Sequence, residues 1–396
     1  MGGTTETRDT ATRIDDIECL RGLAVLGVLV HHAHGNLITQ PLAWFDTLNA
    51  YFGFWAGVDL FFAISGFVIA RSLLPELRAA TGDRTVRRTL AAFWIRRCFR
   101  LLPSAWLWLA LILLAVAFYN QSGVFGTLKA NLWATVAALA NVANFRFADG
   151  FMRYEIGVSF VYWSLSLEEQ FYLLLPLCAL LLRRYLLWML LTLIVIQALI
   201  ALRTPLLMAV RTDALAWGVL LAIVHGSPLW QRMQPKLDSI KWLRPPVIVV
   251  VLALLPFLAG EHSGLQISQR VSAIAVVSVT LVWLASYNRD FFCRGKWVKR
   301  LSLWAGSRSY AIYLIHIPVY FLIRETAFRI GATDARESPY SLAIYAVAAT
   351  ILISVLAEAT YRLVDSPFRS VGKALAHRIR SGSTRQVAIA TPTPTD

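Results

Sequence analysis

Arg21 and His32 are separated by ten residues in the stretch ECLRGLAVLGVLVHHAHG, residues 18–35. At about 100° per residue, eleven helical steps bring a side chain back to within about 20° of its starting direction. On a helix, the guanidinium and the imidazole therefore share one face, roughly three turns or about 16 Å apart. His31 then points about 100° away, and His34 lies on the opposite side. An imidazole titrates near neutrality and suits general-base work. An ionisable pair on one face of an otherwise apolar helix marks a functional position.

Other ionisable groups recur inside apolar runs. Asp59 lies in GVDLFFAISGFVIA, where an ionised carboxylate is costly without a partner. It reads equally as a structural hydrogen-bond acceptor or as a catalytic group, at a depth comparable with that of His32. Ser65 and Gly66 in the same run read as small residues that let helices approach. Arg96, Arg97 and Arg100 precede LLP; they serve as topology signals or as bidentate holders of a phosphate-bearing ligand. In VYWSLSLEEQFYLLLP, the adjacent Glu168 and Glu169 follow Ser164 and Ser166. Arg211 and Asp213 in RTDALAWG read as an ion pair at a helix start. His316 in SYAIYLIHIPVY is a satisfied core histidine or a ligand-binding one. Glu358 and Asp365 flank Tyr361 and Arg362 in EATYRLVDSPFR. The four cysteines, Cys19, Cys98, Cys178 and Cys293, have no metal-ligand spacing, and three fall near helix ends expected in the cytoplasm. Neither a metal site nor a disulfide framework is expected.

The elements that carry these groups are membrane helices. The chain has 396 residues, 57% of them hydrophobic, and a mean hydropathy of +0.58. Apolar stretches of membrane-spanning length alternate with short charged connections, as in an all-α polytopic helical bundle. The net charge of +15 collects in alternate connections as the positive-inside rule requires, which argues against nucleic-acid binding. Full spans are expected over about 17–38, 51–73, 101–119, 160–182, 185–202, 206–224, 246–259, 268–287, 309–328 and 340–363. Residues 131–145 are too short to cross and read as a re-entrant or interfacial helix. That is ten crossings plus one short helix, with both termini in the cytoplasm and an arginine-rich cytoplasmic connection before the third span. The polar start lacks an apolar core, so no cleavable signal peptide is expected. The division is a polar tail over 1–16, a transmembrane domain over 17–368, and a basic then polar tail over 369–396.

Together the segments ECLRGLAVLGVLVHH, GVDLFFAISGFVI, RRCFRLLP, YWSLSLEEQFYLLLP, RTDALAWG, SYAIYLIHIPV and YRLVDSPFR resemble the membrane-bound acyltransferase-3 family over about residues 15–372. The family's arginine–ten residues–histidine motif falls on Arg21 and His32. Its basic motif falls on Arg97 and Arg100, and its serine–x–glutamate motif on Ser166 and Glu168. Asp365 stands where members often carry glutamate. The resemblance implies a multi-pass protein of the bacterial cytoplasmic membrane that moves an acyl group, usually acetyl, from acyl-CoA to a hydroxyl. The acceptor it implies is usually a sugar or glycolipid. Large members carry an extra extracytoplasmic domain; in this chain acceptor specificity is expected in the membrane domain or a partner.

On that reading His32 is the candidate base, with Asp59 or Glu168 orienting it and neither preferred. Arg21, Arg97 and Arg100 hold the donor, and Ser166, Glu169, Arg211 and His316 are candidate acceptor contacts. A cavity crossing most of the bilayer, with donor and acceptor entering from opposite faces, is the expected geometry. A covalent acyl-histidine or acyl-serine relay is a variant of the mechanism. The rivals are an acyltransferase for an intracellular small molecule, a proton-coupled glycolipid transporter or flippase, and a non-catalytic acyl-sugar sensor. The transporter reading calls for inverted repeats, and none is visible.

Overall fold

The run around Asp59 is apolar on all sides, which directs it to the middle of a bundle. The computed structural model describes residues 13–236, 242–332 and 339–381. In it α3 (Gly57–Ala79) is the most enclosed apolar helix, with 78% of its most hydrophobic window buried against 61% or less for the others. Gly66 allows the closest approach to it. A Cβ there would stand 2.2 Å from the Leu215 carbonyl oxygen, and one at Gly218 would stand 2.3 Å from that of Ala63. These two glycines seat α10 (Asp213–Val224) directly on α3.

The chain is all-α and polytopic, and no strand is present among the described residues. α1 is Asp15–Asn36, kinked at His34 and Gly35, and α2 is Ala43–Tyr51. α4 (Asp83–Phe118) runs unbroken for 36 residues, so the arginine-rich connection expected before the third span is helix instead. The expected short element is two helices, α5 (Leu128–Leu139) and α6 (Ala143–Gly150), turned at Asn141 with φ 56°. α7 (Tyr162–Leu182) and α8 (Leu186–Leu199) are joined at Arg183, and α9 (Pro205–Ala209) leads into α10. α11 (Pro228–Arg232), α12 (Arg244–Ala259), α13 (Ile267–Ser286), α14 (Lys296–Ser307), α15 (Ser309–Arg329), α16 (Pro339–Thr360) and α17 (Ser366–Ser381) complete it. Seven helical stretches among the described residues are long and apolar enough to cross a membrane. The first helix is not one of these, because Asp15, Asp16, Glu18, Arg21 and three histidines dilute its hydropathy. Large apolar side chains such as Phe118 and Leu181 lie more than three-quarters exposed, as lipid-facing positions do.

Two further differences concern the ends. Residues 366–381, which span the end of the expected transmembrane domain and the start of the expected basic tail, form α17, which packs along α4. Gly372 sits against Phe99, whose ring also meets Phe368. A π-helical turn, Tyr361–Asp365, joins it to α16, and Ser104 of α4 donates to Asp365. Cys19 and Cys293 are joined as a disulfide, with Cα atoms 6.2 Å apart, contrary to the absence expected from sequence. The cause is tertiary. Buried Asp16 accepts the backbone N–H groups of Phe291 and Phe292, each at 3.1 Å, and so draws that loop onto the start of α1. The expected tails over 1–12 and 382–396 lie outside the described residues.

Candidate active site

Two chambers lie along the helices that carry the motif residues. The first, a cavity of about 70 Å³, is lined by Arg21 of α1, Arg97 and Arg100 of α4, and Glu168 and Tyr172 of α7. Arg97 is stacked between the Phe93 and Tyr172 rings, at 5.6 and 5.4 Å, which fixes its fork without a carboxylate. Arg21 is steadied by Glu18, one turn earlier, at 3.1 Å. Glu168 accepts from Ser65 and Tyr172 and is thereby tied to α3. Three lining guanidiniums face one lining carboxylate, so this space is cationic. It suits a ligand with several phosphate oxygens.

The second chamber, about 390 Å³, is lined by His31 and His32 of α1, by Arg203 and Arg211, and by aromatic side chains that include Trp55, Phe160 and Trp163. The two spaces share Val58. Phe62 of the arginine chamber meets Trp163 of the histidine chamber edge-on, with ring centroids 6.3 Å apart. The single pore expected from sequence is thus two compartments. Arg21 lines one and His32 the other, from the same helix.

His32 is held by α15. Its Nδ1 lies 2.9 Å from Nε2 of His316, and the rings stack at 27°. His316 is fully buried, and its Nδ1 lies 2.7 Å from the Tyr313 carbonyl oxygen, which can only accept. A neutral His316 therefore carries its proton on Nδ1 and presents Nε2 as an acceptor. His32 must then donate from Nδ1, which leaves its own Nε2 with a free lone pair. The register between the helices is pinned by Tyr320 donating to the Leu29 carbonyl at 3.0 Å and Arg324 donating to that of Asn36 at 3.1 Å.

The carboxylates expected beside His32 are elsewhere. Asp59 is gripped by Arg211, with Nε at 2.8 Å and Nη2 at 2.9 Å, and both side chains are buried. The third nitrogen of Arg211 donates to the Met208 carbonyl at 3.0 Å. Asp213, expected to pair with Arg211, is instead approached by Arg203 at 3.3 Å. Ser166 and Glu168 part company, since residues two apart project about 200° apart on a helix. Ser166 accepts the Ala143 N–H at 3.2 Å and so anchors the start of α6. With Glu169 it borders a small separate cavity beside Asn141. Neither residue lines the two chambers. His316, expected to touch the acceptor, instead backs His32.

Sequence reasoning missed three groups. Arg203 stands in the connection between α8 and α9 and looked like a span terminus. Tyr313 acts through its carbonyl, which no side-chain pattern reports. Arg369, on α17, is brought by the Phe99 packing into electrostatic range of Arg97 and Arg100. No cluster of metal-ligating side chains is present among the described residues.

Residues 14–359 match the acyltransferase-3 family model, described as an acyltransferase domain. The chain is 26% identical over 382 residues to the O-acetyltransferase OatA of Staphylococcus aureus, covering 90% of this chain and 57% of that protein. It is 26% identical over 405 residues to the putative peptidoglycan O-acetyltransferase YrhL of Bacillus subtilis, covering 94% and 58%. For the peptidoglycan O-acetyltransferase OatA of Listeria monocytogenes the identity is 24% over 392 residues, covering 92% and 57%. The chain thus spans a little over half the length of these relatives. No solved structure matches.

Proposed function

The chain belongs to the acyltransferase-3 family, and on that premise we propose that it is an O-acyltransferase of the bacterial cytoplasmic membrane that moves an acetyl group from acetyl-CoA to a hydroxyl of a carbohydrate or glycolipid. The observation that carries the reading is the free Nε2 of His32, fixed by His316 on the wall of a chamber that adjoins a cationic one. The arginine chamber supplies the donor side. Arg21, Arg97 and Arg100 meet the phosphates of CoA, and the thin pantetheine arm carries the thioester past Val58 to His32. The named activity of the relatives, O-acetylation, supports the acyl group and the hydroxyl acceptor.

The transfer runs as follows. His32 Nε2 takes the proton of the acceptor hydroxyl as its oxygen bonds to the thioester carbonyl carbon. The C–S bond of the tetrahedral adduct then breaks, and the proton on His32 passes to the departing thiolate sulfur. The products are the ester and free CoA, and His32 is returned neutral. The imidazolium formed in between keeps its Nδ1–H directed at His316 Nε2, so no buried carboxylate is needed beside it. Asp59 has a different task on this reading: it neutralises Arg211 and locks α10 to α3.

The test is transfer of radiolabel from acetyl-CoA to acceptor by protein in proteoliposomes. His32→Ala is expected to lower turnover by about 10²–10⁴-fold, the range of a lost general base, with normal insertion and unchanged CoA binding. Near-normal turnover in that variant removes the assignment.

A further inference from the structure

Glu168 uses only one of its two carboxylate oxygens within the protein. Oε1 accepts the hydroxyls of both Ser65 and Tyr172, which fixes the group against α3. Oε2 has no hydrogen-bond partner among the described residues, and it is not sealed from the chamber that Glu168 lines. No ion pair among those residues ties it to Arg21, Arg97 or Arg100. Arg21 is held by Glu18, and Arg97 by the Phe93 and Tyr172 rings. An oriented carboxylate oxygen is thus left on the wall of a cationic space. It repels an anion, and the arginines repel a cation, so what it can take is a neutral hydrogen-bond donor.

Position says which donor. α7 carries Tyr172, Glu168 and Ser164 at successive turns, about 6 Å apart along the helix, and all three line the chamber. Tyr172 marks the arginine end, since its ring lies 5.4 Å from Arg97. Ser164 marks the end towards the histidine pair. Its hydroxyl lies 2.7 Å from that of Tyr313, whose carbonyl holds His316. Both hydroxyls also contact the Val161 carbonyl, at 3.3 and 3.1 Å. A carbonyl only accepts, so both hydroxyl protons are engaged within this triangle and neither is left to donate. Glu168 therefore stands midway along a passage whose α7 side has no free donor. A pantetheine arm lying there brings amide N–H groups, which can only donate, whereas its hydroxyl can turn to an arginine as an acceptor.

We propose that Glu168 is a specificity-determining residue for the acyl donor, and that its Oε2 accepts an amide N–H of the pantetheine arm as the arm passes from the arginines towards Val58. This rests on the acyl-CoA reading of the arginine chamber and adds a selection that the arginines cannot make. Phosphate contacts hold any nucleotide of similar charge. The carboxylate distinguishes a CoA thioester from a nucleotide without an amide arm, because a desolvated amide N–H is costly to leave without a partner.

The experiment compares three probes by calorimetry on full-length protein in phosphatidylcholine nanodiscs. They are CoA, its armless nucleotide half (phosphoadenosine diphosphate), and a CoA analogue with both amide N–H groups replaced by ester oxygens. Wild type is expected to bind the ester analogue roughly tenfold or more weakly than CoA. Glu168→Gln keeps an oxygen for Ser65 and Tyr172 but turns an amide donor towards the arm, so CoA should lose roughly tenfold relative to the nucleotide. The nucleotide itself should bind no more weakly, because a negative charge has left the cationic space. The ester penalty should largely vanish in this variant, and a penalty that persists in full overturns the proposal. If CoA and nucleotide shift together, Glu168 is only a counter-charge and the proposal is overturned. Should Glu168→Gln fail to insert, the ester analogue on wild type decides, and affinity equal to that of CoA overturns the proposal. CoA binding without discrimination of the arm loses this proposal alone. If wild type binds neither CoA nor the nucleotide, the donor reading is lost and this proposal with it.

Discussion

Replacing His316 tests whether the histidine pair, and not a carboxylate, orients the base. In His316→Phe the ring remains but the acceptor at 2.9 Å from His32 Nδ1 is gone. The His32 N–H is then buried without a partner, or the ring changes tautomer and turns its lone pair away from the chamber. An unsatisfied buried donor costs about 1–3 kcal/mol, which corresponds to a loss of about five- to 150-fold if it falls on the transition state. That is smaller than the loss expected for His32→Ala, because the base itself survives. His316→Gln places an amide oxygen where Nε2 was and should recover part of the rate. The assay is label transfer in proteoliposomes with kcat and KM for acetyl-CoA determined separately, supported by calorimetry of CoA binding. The fall is expected in kcat, with KM and CoA affinity unchanged. If His316→Phe keeps kcat within about twofold of wild type, the orienting role is refuted. A fall in CoA affinity with kcat intact would place His316 with the donor instead.

Arg97→Gln and Arg100→Gln are each expected to weaken CoA binding by about ten- to hundredfold in calorimetry, with partial recovery by Lys; Arg369→Gln should weaken it less, whereas Arg362→Gln, on an exposed residue paired with Glu358, should leave it unchanged. Equal affinities in all four would reduce the arginines to topology signals. Asp59→Asn strands a buried Arg211, so it should destabilise by about 3–5 kcal/mol in thermal or denaturant unfolding. The double change Asp59→Leu with Arg211→Met should restore much of that stability, and activity should follow stability; a stable but inactive double variant would return Asp59 to the chemistry.

What the sequence revealed and what it hid follow from the range of each signal. Helical periodicity is local, and it correctly put Arg21 and His32 on one face of α1, where they line adjoining chambers. Burial cost is local too, so Asp59 and His316 stood out as groups that needed partners. Which partner each would find is decided by helix packing. Arg211 is 152 residues from Asp59 and His316 is 284 residues from His32, and both pairings depend on helices meeting in one register. The serine–x–glutamate motif failed as a single unit for a simpler reason. Its two residues face opposite ways, one towards α6 and one towards α3. The span pattern missed α17 because a basic amphipathic helix has the composition of a tail. The burial of Arg203 against Asp213 was hidden because an arginine at the end of an apolar run looks like an anchor.

The separation of the chambers has a mechanistic consequence. A multiply anionic donor gains most where guanidiniums outnumber carboxylates, and that place is the arginine chamber. Moving those phosphates to the histidine chamber would exchange three guanidiniums set against two carboxylates, Glu18 and Glu168, for two guanidiniums each held by its own carboxylate. On the proposed CoA reading the nucleotide end has no incentive to leave, and only the arm can advance. Arg21 and His32 are about 16 Å apart along α1, a span that a slender pantetheine arm can cover between Val58 and the Phe62–Trp163 contact. The acceptor faces the opposite constraint. On the proposed reading an uncharged acceptor gains nothing from the cationic side and finds aromatic walls on the other. On that reading donor and acceptor are sorted by charge before they meet. The group that both would reach on that reading is His32, whose lone pair is aimed by a neutral His316.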